Sequence, residues 1–125
     1  MTIKKQFEEF RKEFMGKYYK PIKTMPEDYV YVVEDMKIIG LAVINIVNSL
    51  TKKALVIEDF IIDKEHRNQG YGTELMGEII GMAKRKKVDC IEVTIKKTNK
   101  QAIALYKKFR FKDRDNISYR LWLSE

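Results

Sequence analysis

The chain has 125 residues, 45% apolar and 34% charged, which is the length of one domain with one real core and not the composition of a disordered chain. No apolar run approaches the roughly 20 residues that span a bilayer, and a single cysteine excludes an intramolecular disulfide. The net charge of +7 invites a nucleic-acid reading, but residues 1–53 carry 10 basic and 7 acidic side chains and residues 54–125 carry 15 and 11, so no basic arm exists.

Phe7, Phe10, Phe14 and Tyr18 recur at helical spacing, with Glu8 placed to pair with Lys12, and predict a helix to about Tyr19. Met1 to Lys5 leads into this charged helix rather than into a signal-peptide core, so a cytoplasmic protein is expected. Pro21 and Pro26 break the pattern. Strands are expected over 29–33 and 38–47, with a turn at 34–37 and Gly40 at a bulge. A loop over 48–53 leads into a strand over 54–63. A glycine-rich loop follows, then a helix to about Lys87 whose apolar face carries Leu75, Met76, Ile79, Ile80 and Ala83. Its basic end, Lys84 to Lys87, complements the helix dipole. Residues 88–96 read as a strand holding Cys90 as a small buried hydrophobe, and 99–109 as a helix. The last strand alternates Ile117, Tyr119, Leu121 and Leu123 against Ser118, Arg120 and Trp122. The expected order is α-β-β-β-α-β-α-β-β in one domain, residues 1–125. That is an α/β fold with a mixed, mostly antiparallel twisted sheet and helices on both faces.

The most informative stretch is Arg67-Asn68-Gln69-Gly70-Tyr71-Gly72-Thr73, between a strand and a helix. A helix N-terminus presents backbone N–H groups and the positive end of a dipole, and glycines let an anion approach without meeting a Cβ. The spacing R-x-x-G-x-G is neither the dinucleotide fingerprint nor a P-loop. Two adjacent acids, Glu58 and Asp59, stand in the apolar strand before it, where unpartnered burial is costly. One histidine and one cysteine make no zinc site, so no metal is expected.

The loop resembles the pyrophosphate-binding motif R/Q-x-x-G-x-G/A of the GNAT family of N-acetyltransferases. Three further stretches stand in that family's order. Ile57 to Ile62 resembles its fourth strand, Val88 to Ile95 follows as a second apolar strand, and Asn99 to Phe111 resembles N-x-x-A-x-x-L-Y-x-K-x-G-F. The resemblance covers about Met36 to Leu123. It implies transfer of an acetyl group from acetyl-CoA to a primary amine by direct attack, with CoA as cosubstrate. It implies that backbone groups near Ile61 and Ile62 meet the pantetheine arm and that the amides of Gln69 to Thr73 take the pyrophosphate, with Arg67 and Asn68 in the same loop. Asn99 is then an N-cap and pantetheine contact, and Tyr106 the acid that protonates the departing thiolate. Glu58 is the expected base, raised by burial or acting through a water, because its strand is similar to that of the diamine and polyamine acetyltransferases.

The acceptor stays open among small amines, polyamines, aminoglycosides and protein amines. The family's usual first strand is missing, which with Trp122 suggests a homodimer. Arg110 stands where the family commonly has glycine and is expected to use another turn. The competing readings are a non-catalytic CoA-binding module and, on charge alone, a nucleic-acid-binding domain. The intact Glu58 and Tyr106 argue against the first, and the spread charge against the second.

Overall fold

The computed structural model describes residues 3–18, 28–34 and 36–124. Its elements are α1 (Ile3–Met15), β1 (Asp28–Glu34), β2 (Lys37–Asn48), β3 (Lys53–Ile62), α2 (Tyr71–Arg85), β4 (Cys90–Val93) and α3 (Lys100–Lys108). Short 3-10 turns follow α1 at Gly16–Tyr18 and β3 at Lys64–His66. The chain divides into two compact units, Met1–Thr94 and Ile95–Glu125. Pro21, Pro26 and Asp35 lie outside the described residues.

In the first unit the strands stand in the order β1-β2-β3-β4. The first three are antiparallel neighbours, and β4 joins β3 in parallel. Gly40 has a packing reason: a Cβ there would sit 2.7 Å from Val32 Cγ2 and 2.8 Å from Ile62 Cδ1. The expected bulge lies beside it, since Val32 pairs with Gly40 and Val33 with Ile38, leaving Ile39 as the additional residue.

One face of the sheet is covered by α1. Phe7 and Phe10 pack with Ile38 and Leu41, flanked by Tyr29, Val43 and Ile61. Burying each phenyl ring is worth about 1.5–3 kcal/mol. The rest of the expected aromatic stripe is not core. Phe14, in the last turn of α1, is 56% exposed, and Tyr18 is 71% exposed because α1 stops at Met15 and the tighter turn after it changes the period. Glu8 pairs with Arg11 at 3.6 Å, one residue short of the expected Lys12. Alternation puts Ala42 and Ile44 on the other face, and both are buried. α2 packs across all four strands and buries Leu75, Met76, Ile79 and Ala83.

The turn from α2 into β4 sets where β4 starts. Lys87 takes φ 55°, Val88 N–H donates to Ala83 O, and Lys87 N–H to Lys84 O. This is a Schellman-like ending that uses a lysine in the left-handed position. Asp89 then fixes the parallel register. Its N–H donates to Lys53 O at 2.8 Å and its carboxylate accepts from Lys53 N–H at 2.9 Å.

The second unit contains α3 and the tail. The two strands expected after α3 are not formed: residues 111–124 carry no strand, and Ile117, Tyr119, Leu121, Trp122 and Leu123 are all at least 75% exposed. Alternation predicts which face a strand would bury, but a strand needs a neighbour to ladder with. This unit has no other strand among its described residues.

Candidate active site

β3 and β4 stay together only from Ala54↔Cys90 to Ile57↔Val93. β3 continues to Ile62, still paired with β2 through Gly40↔Ile62. The two parallel strands therefore part at Glu58, and β4 does not accompany β3 from Glu58 to Ile62. A bulge marks the same place. Ile44 pairs with Ile57 and Val43 with Asp59, so Glu58 is the additional residue. Bulges bend a strand and aim its side chains away from the simple alternation.

The ladder also tells which backbone groups of β3 face away from β2. Asp63 N–H donates to Ile39 O at 2.7 Å, on the β2 side. An antiparallel strand turns the backbone groups of alternate residues to the same neighbour. Ile61 therefore faces β2, while Phe60 and Ile62 face away from it. Of the expected pair, Ile61 turns its backbone to β2, and Ile62 turns away from it, its carbonyl accepting from Arg67 Nε.

Glu58 and Asp59 are both exposed, so the cost of burying them does not arise. The bulge carries them to solvent in a strand whose earlier residues Ala54, Leu55 and Ile57 are core. Burial is therefore not the means by which Glu58 would act; an exposed carboxylate can act through water.

The glycine loop leaves β3 through the turn Lys64–His66 and enters α2 at Tyr71. Gly70 is the N-cap, with φ 89° and no side-chain cap bond, and Asn68 takes φ 63°. Nothing lies within 4 Å of where a Cβ would stand on Gly70. Glu74 N–H donates to Gly70 O, so Tyr71, Gly72 and Thr73 occupy the first turn, at the positive end of the helix dipole. Arg67 is exposed and donates from Nε to Ile62 O at 3.1 Å, and Gln69 donates from Nε2 to Glu65 O at 3.1 Å. Both side chains thus brace the loop.

Sequence reasoning missed a cluster that holds this loop. Tyr71 OH donates to Glu34 Oε1 at 2.8 Å, and His66 Nε2 lies 2.8 Å from Glu34 Oε2. His66 Nδ1 lies 2.6 Å from Asp63 Oδ2. The hydrogen bond to Asp63, then the charges of Asp63 and Glu34, hold the imidazole above its usual pKa of 6.5 against the opposing effect of burial. Only the pair Asp63 and His66, three apart at a strand end, offered a local signal.

In the second unit Asn99 caps α3, its side chain accepting from Ala102 N–H at 3.1 Å. Tyr106 is buried and packs edge-on against Phe111 with ring centroids 5.0 Å apart. Burial pushes its phenol up to about 12. Arg110 takes φ 67°, with Arg110 N–H on Lys107 O and Phe111 N–H on Tyr106 O. The expected alternative turn is not used. The arginine occupies the left-handed position of a Schellman-like motif, and the Tyr106–Phe111 contact is the hydrophobic pair that accompanies such an ending.

The acetyltransferase (GNAT) family model matches residues 2–111. The chain belongs to this family. A curated relative, the uncharacterized N-acetyltransferase MJ1207 of Methanocaldococcus jannaschii, is 27% identical over 111 residues, 86% of this chain and 49% of the relative. The chain thus spans about half the length of that relative. Among solved structures, the ribosomal-protein-alanine N-acetyltransferase of Brucella melitensis biovar Abortus 2308 superposes with a TM-score of 0.79 at 11% identity, covering 96% of this chain and 93% of that one. The aminoglycoside acetyltransferase meta-AAC0020 from an uncultured soil metagenomic sample gives 0.78 at 14% identity, covering 98% and 91%. At these identities the likeness is one of fold. The GNAT match takes in α1, which lies outside the expected 36–123, and leaves residues 112–125 beyond it. Among the described residues no strand precedes β1.

Proposed function

We propose that the chain is an acetyl-CoA-dependent N-acetyltransferase in which a primary amine attacks the thioester directly. The observation that carries this reading is the parting of β3 from β4 at Glu58, on a strand that runs on into the glycine loop and α2. The stretch of β3 that β4 does not accompany fits an extended arm of amides. Ile62 turns its backbone N–H to it, its carbonyl being held by Arg67 Nε, and the first turn of α2 follows for a pyrophosphate. Asn68, Gln69, Gly70, Tyr71, Gly72 and Thr73 form the phosphate loop, Arg67 braces it against Ile62, and Asn99 is the proposed further contact to the arm.

In the reaction the amine nitrogen bonds to the thioester carbonyl carbon, the carbon–sulfur bond breaks, and the amine loses a proton. Glu58, exposed on the bulge, takes that proton through water. Tyr106 donates a hydrogen bond to the sulfur as it leaves as thiolate, which a proton from the reacting amine then neutralises. The acceptor is a small-molecule or protein amine. An amine with pKa near ~10.4 is mostly protonated at neutral pH, so a base is required there.

The test is release of free CoA thiol from acetyl-CoA across a panel of polyamines, amino acids, aminoglycosides and lysine or N-terminal peptides. Thiol release with at least one amine supports the reading. Binding of CoA without release for any amine supports a non-catalytic CoA module instead.

A further inference from the structure

We infer that Glu34 is a positioning residue for the phosphate loop: its two carboxylate oxygens hold the residues at the loop's two ends, His66 and Tyr71, against the end of β1. This inference rests on the proposed acetyl-CoA reading and names a residue outside the loop that the site depends on.

Arg67, Asn68, Gln69 and Gly70 lie between His66 and Tyr71 in sequence. His66 reaches Glu34 Oε2 at 2.8 Å, and Tyr71 OH reaches Oε1 at 2.8 Å. One side chain thus closes the loop from both ends, across 37 residues of sequence in the case of Tyr71. The imidazole is further held by Asp63 at 2.6 Å and lies edge-on to the Tyr71 ring, centroids 5.9 Å apart. The loop needs bracing because it contains two left-handed residues, Asn68 and Gly70, and its N-cap has no side chain to fix it. A loop fixed before the ligand arrives loses less freedom on binding.

The charged groups on His66 are Glu34 from β1 and Asp63 from the end of β3, with the Tyr71 hydroxyl from α2 on the same Glu34 carboxylate. Arg67 points its Nε at the Ile62 carbonyl instead. An imidazolium donates to both carboxylates, whereas a neutral imidazole has one N–H for two acceptors. His66 is raised in the folded protein, so the clamp is complete below its unfolded value of 6.5 and weakens as pH rises through the raised one. The substitution Glu34→Gln would reverse this, since the amide it introduces can donate to a neutral imidazole.

The experiment is a calorimetric titration of wild type, Glu34→Gln and Tyr71→Phe with CoA, and with pantetheine, which has the same arm and no phosphate. Amide hydrogen exchange of residues 67–73 is measured on each protein alone. Glu34→Gln should weaken CoA about tenfold at about pH 6, the worth of one charge-assisted bond, and pantetheine by less than about twofold. The deficit should narrow at about pH 8.5, and exchange should quicken in the loop. Tyr71→Phe removes one oxygen only and should shift CoA the same way by about threefold, which keeps the inference testable if Glu34→Gln fails to fold. Unchanged CoA affinity in the variants, or equal losses for CoA and pantetheine, would overturn the positioning role. Wild type binding CoA no better than pantetheine would instead remove the phosphate-site reading, and that result is seen before any variant is compared.

Discussion

Replacing Tyr106 by phenylalanine tests the acid chemistry most directly. The phenol is held at about 12 by burial, and a thiol leaves with a pKa near ~8.5. The gap of about 3.5 units makes complete proton transfer uphill by about 5 kcal/mol, at 1.36 kcal/mol per unit. A free thiolate would therefore not deprotonate this tyrosine. The hydroxyl can still donate a hydrogen bond to sulfur while charge develops, and an amine proton can follow later. Its loss should then cost about 10²-fold in kcat, the low end of the range for general acids. CoA affinity should change by less than about threefold, because the bond matters only as charge appears on sulfur. Since burial disfavours the phenolate, Tyr106 stays protonated throughout an ordinary assay range, and no alkaline limb near its usual ~10 should come from it. The assay is steady-state kcat and KM against pH for the best amine of the panel, with CoA titrated separately. A thioester of a more acidic thiol should shrink the deficit, since a better leaving group needs less help. The reasoning fails if Tyr106→Phe keeps kcat within about threefold of wild type, or if the variant deletes a limb near ~10.

Three other substitutions test separate parts of the structure. Glu58→Gln should lower the rate most at low pH and approach wild type as pH nears the acceptor's own value, ~10 for a lysine-like amine; collapse in a parallel Asp59→Asn variant instead would assign the base to Asp59. Gly70→Val places a branched side chain at φ 89° and should abolish the thermal shift given by CoA while the apo fold survives at a cost of about 1–2 kcal/mol; a normal shift would move the phosphate site elsewhere. Arg110→Gly relieves a left-handed arginine at φ 67° and should stabilise by about 1 kcal/mol, after glycine's greater freedom in the unfolded chain is subtracted; a fall in thermal midpoint would show that the arginine side chain contributes more than its backbone costs.

What the sequence made legible was local. The order of β3, glycine loop and α2 follows from an apolar run, two glycines and a helical stripe, all within about one supersecondary unit. The Asn99 cap was legible because a cap bond spans three residues, and Asn99 accepts from Ala102 N–H. The features that shape the opening were not local. The bulge at Glu58 exists only because Ile57 and Asp59 meet consecutive residues of β2, and a single strand carries no record of its partner's register. Alternation along the isolated strand therefore could not show that both acids reach solvent. The clamp on the loop joins Glu34 to Tyr71 across the β1–β2–β3 meander, and neither residue has a neighbour in sequence that points to the other. The turn at Arg110 departs from the expected one for a different reason. Glycine is favoured in the left-handed position by about 1–2 kcal/mol, which biases the choice without compelling it when the Schellman bonds and a contact such as Tyr106–Phe111 offset the cost. The tail failed on the same ground as the bulge. Its alternation is clean, yet residues 111–124 form no strand, because period two states which face would be buried and says nothing of what would bury it.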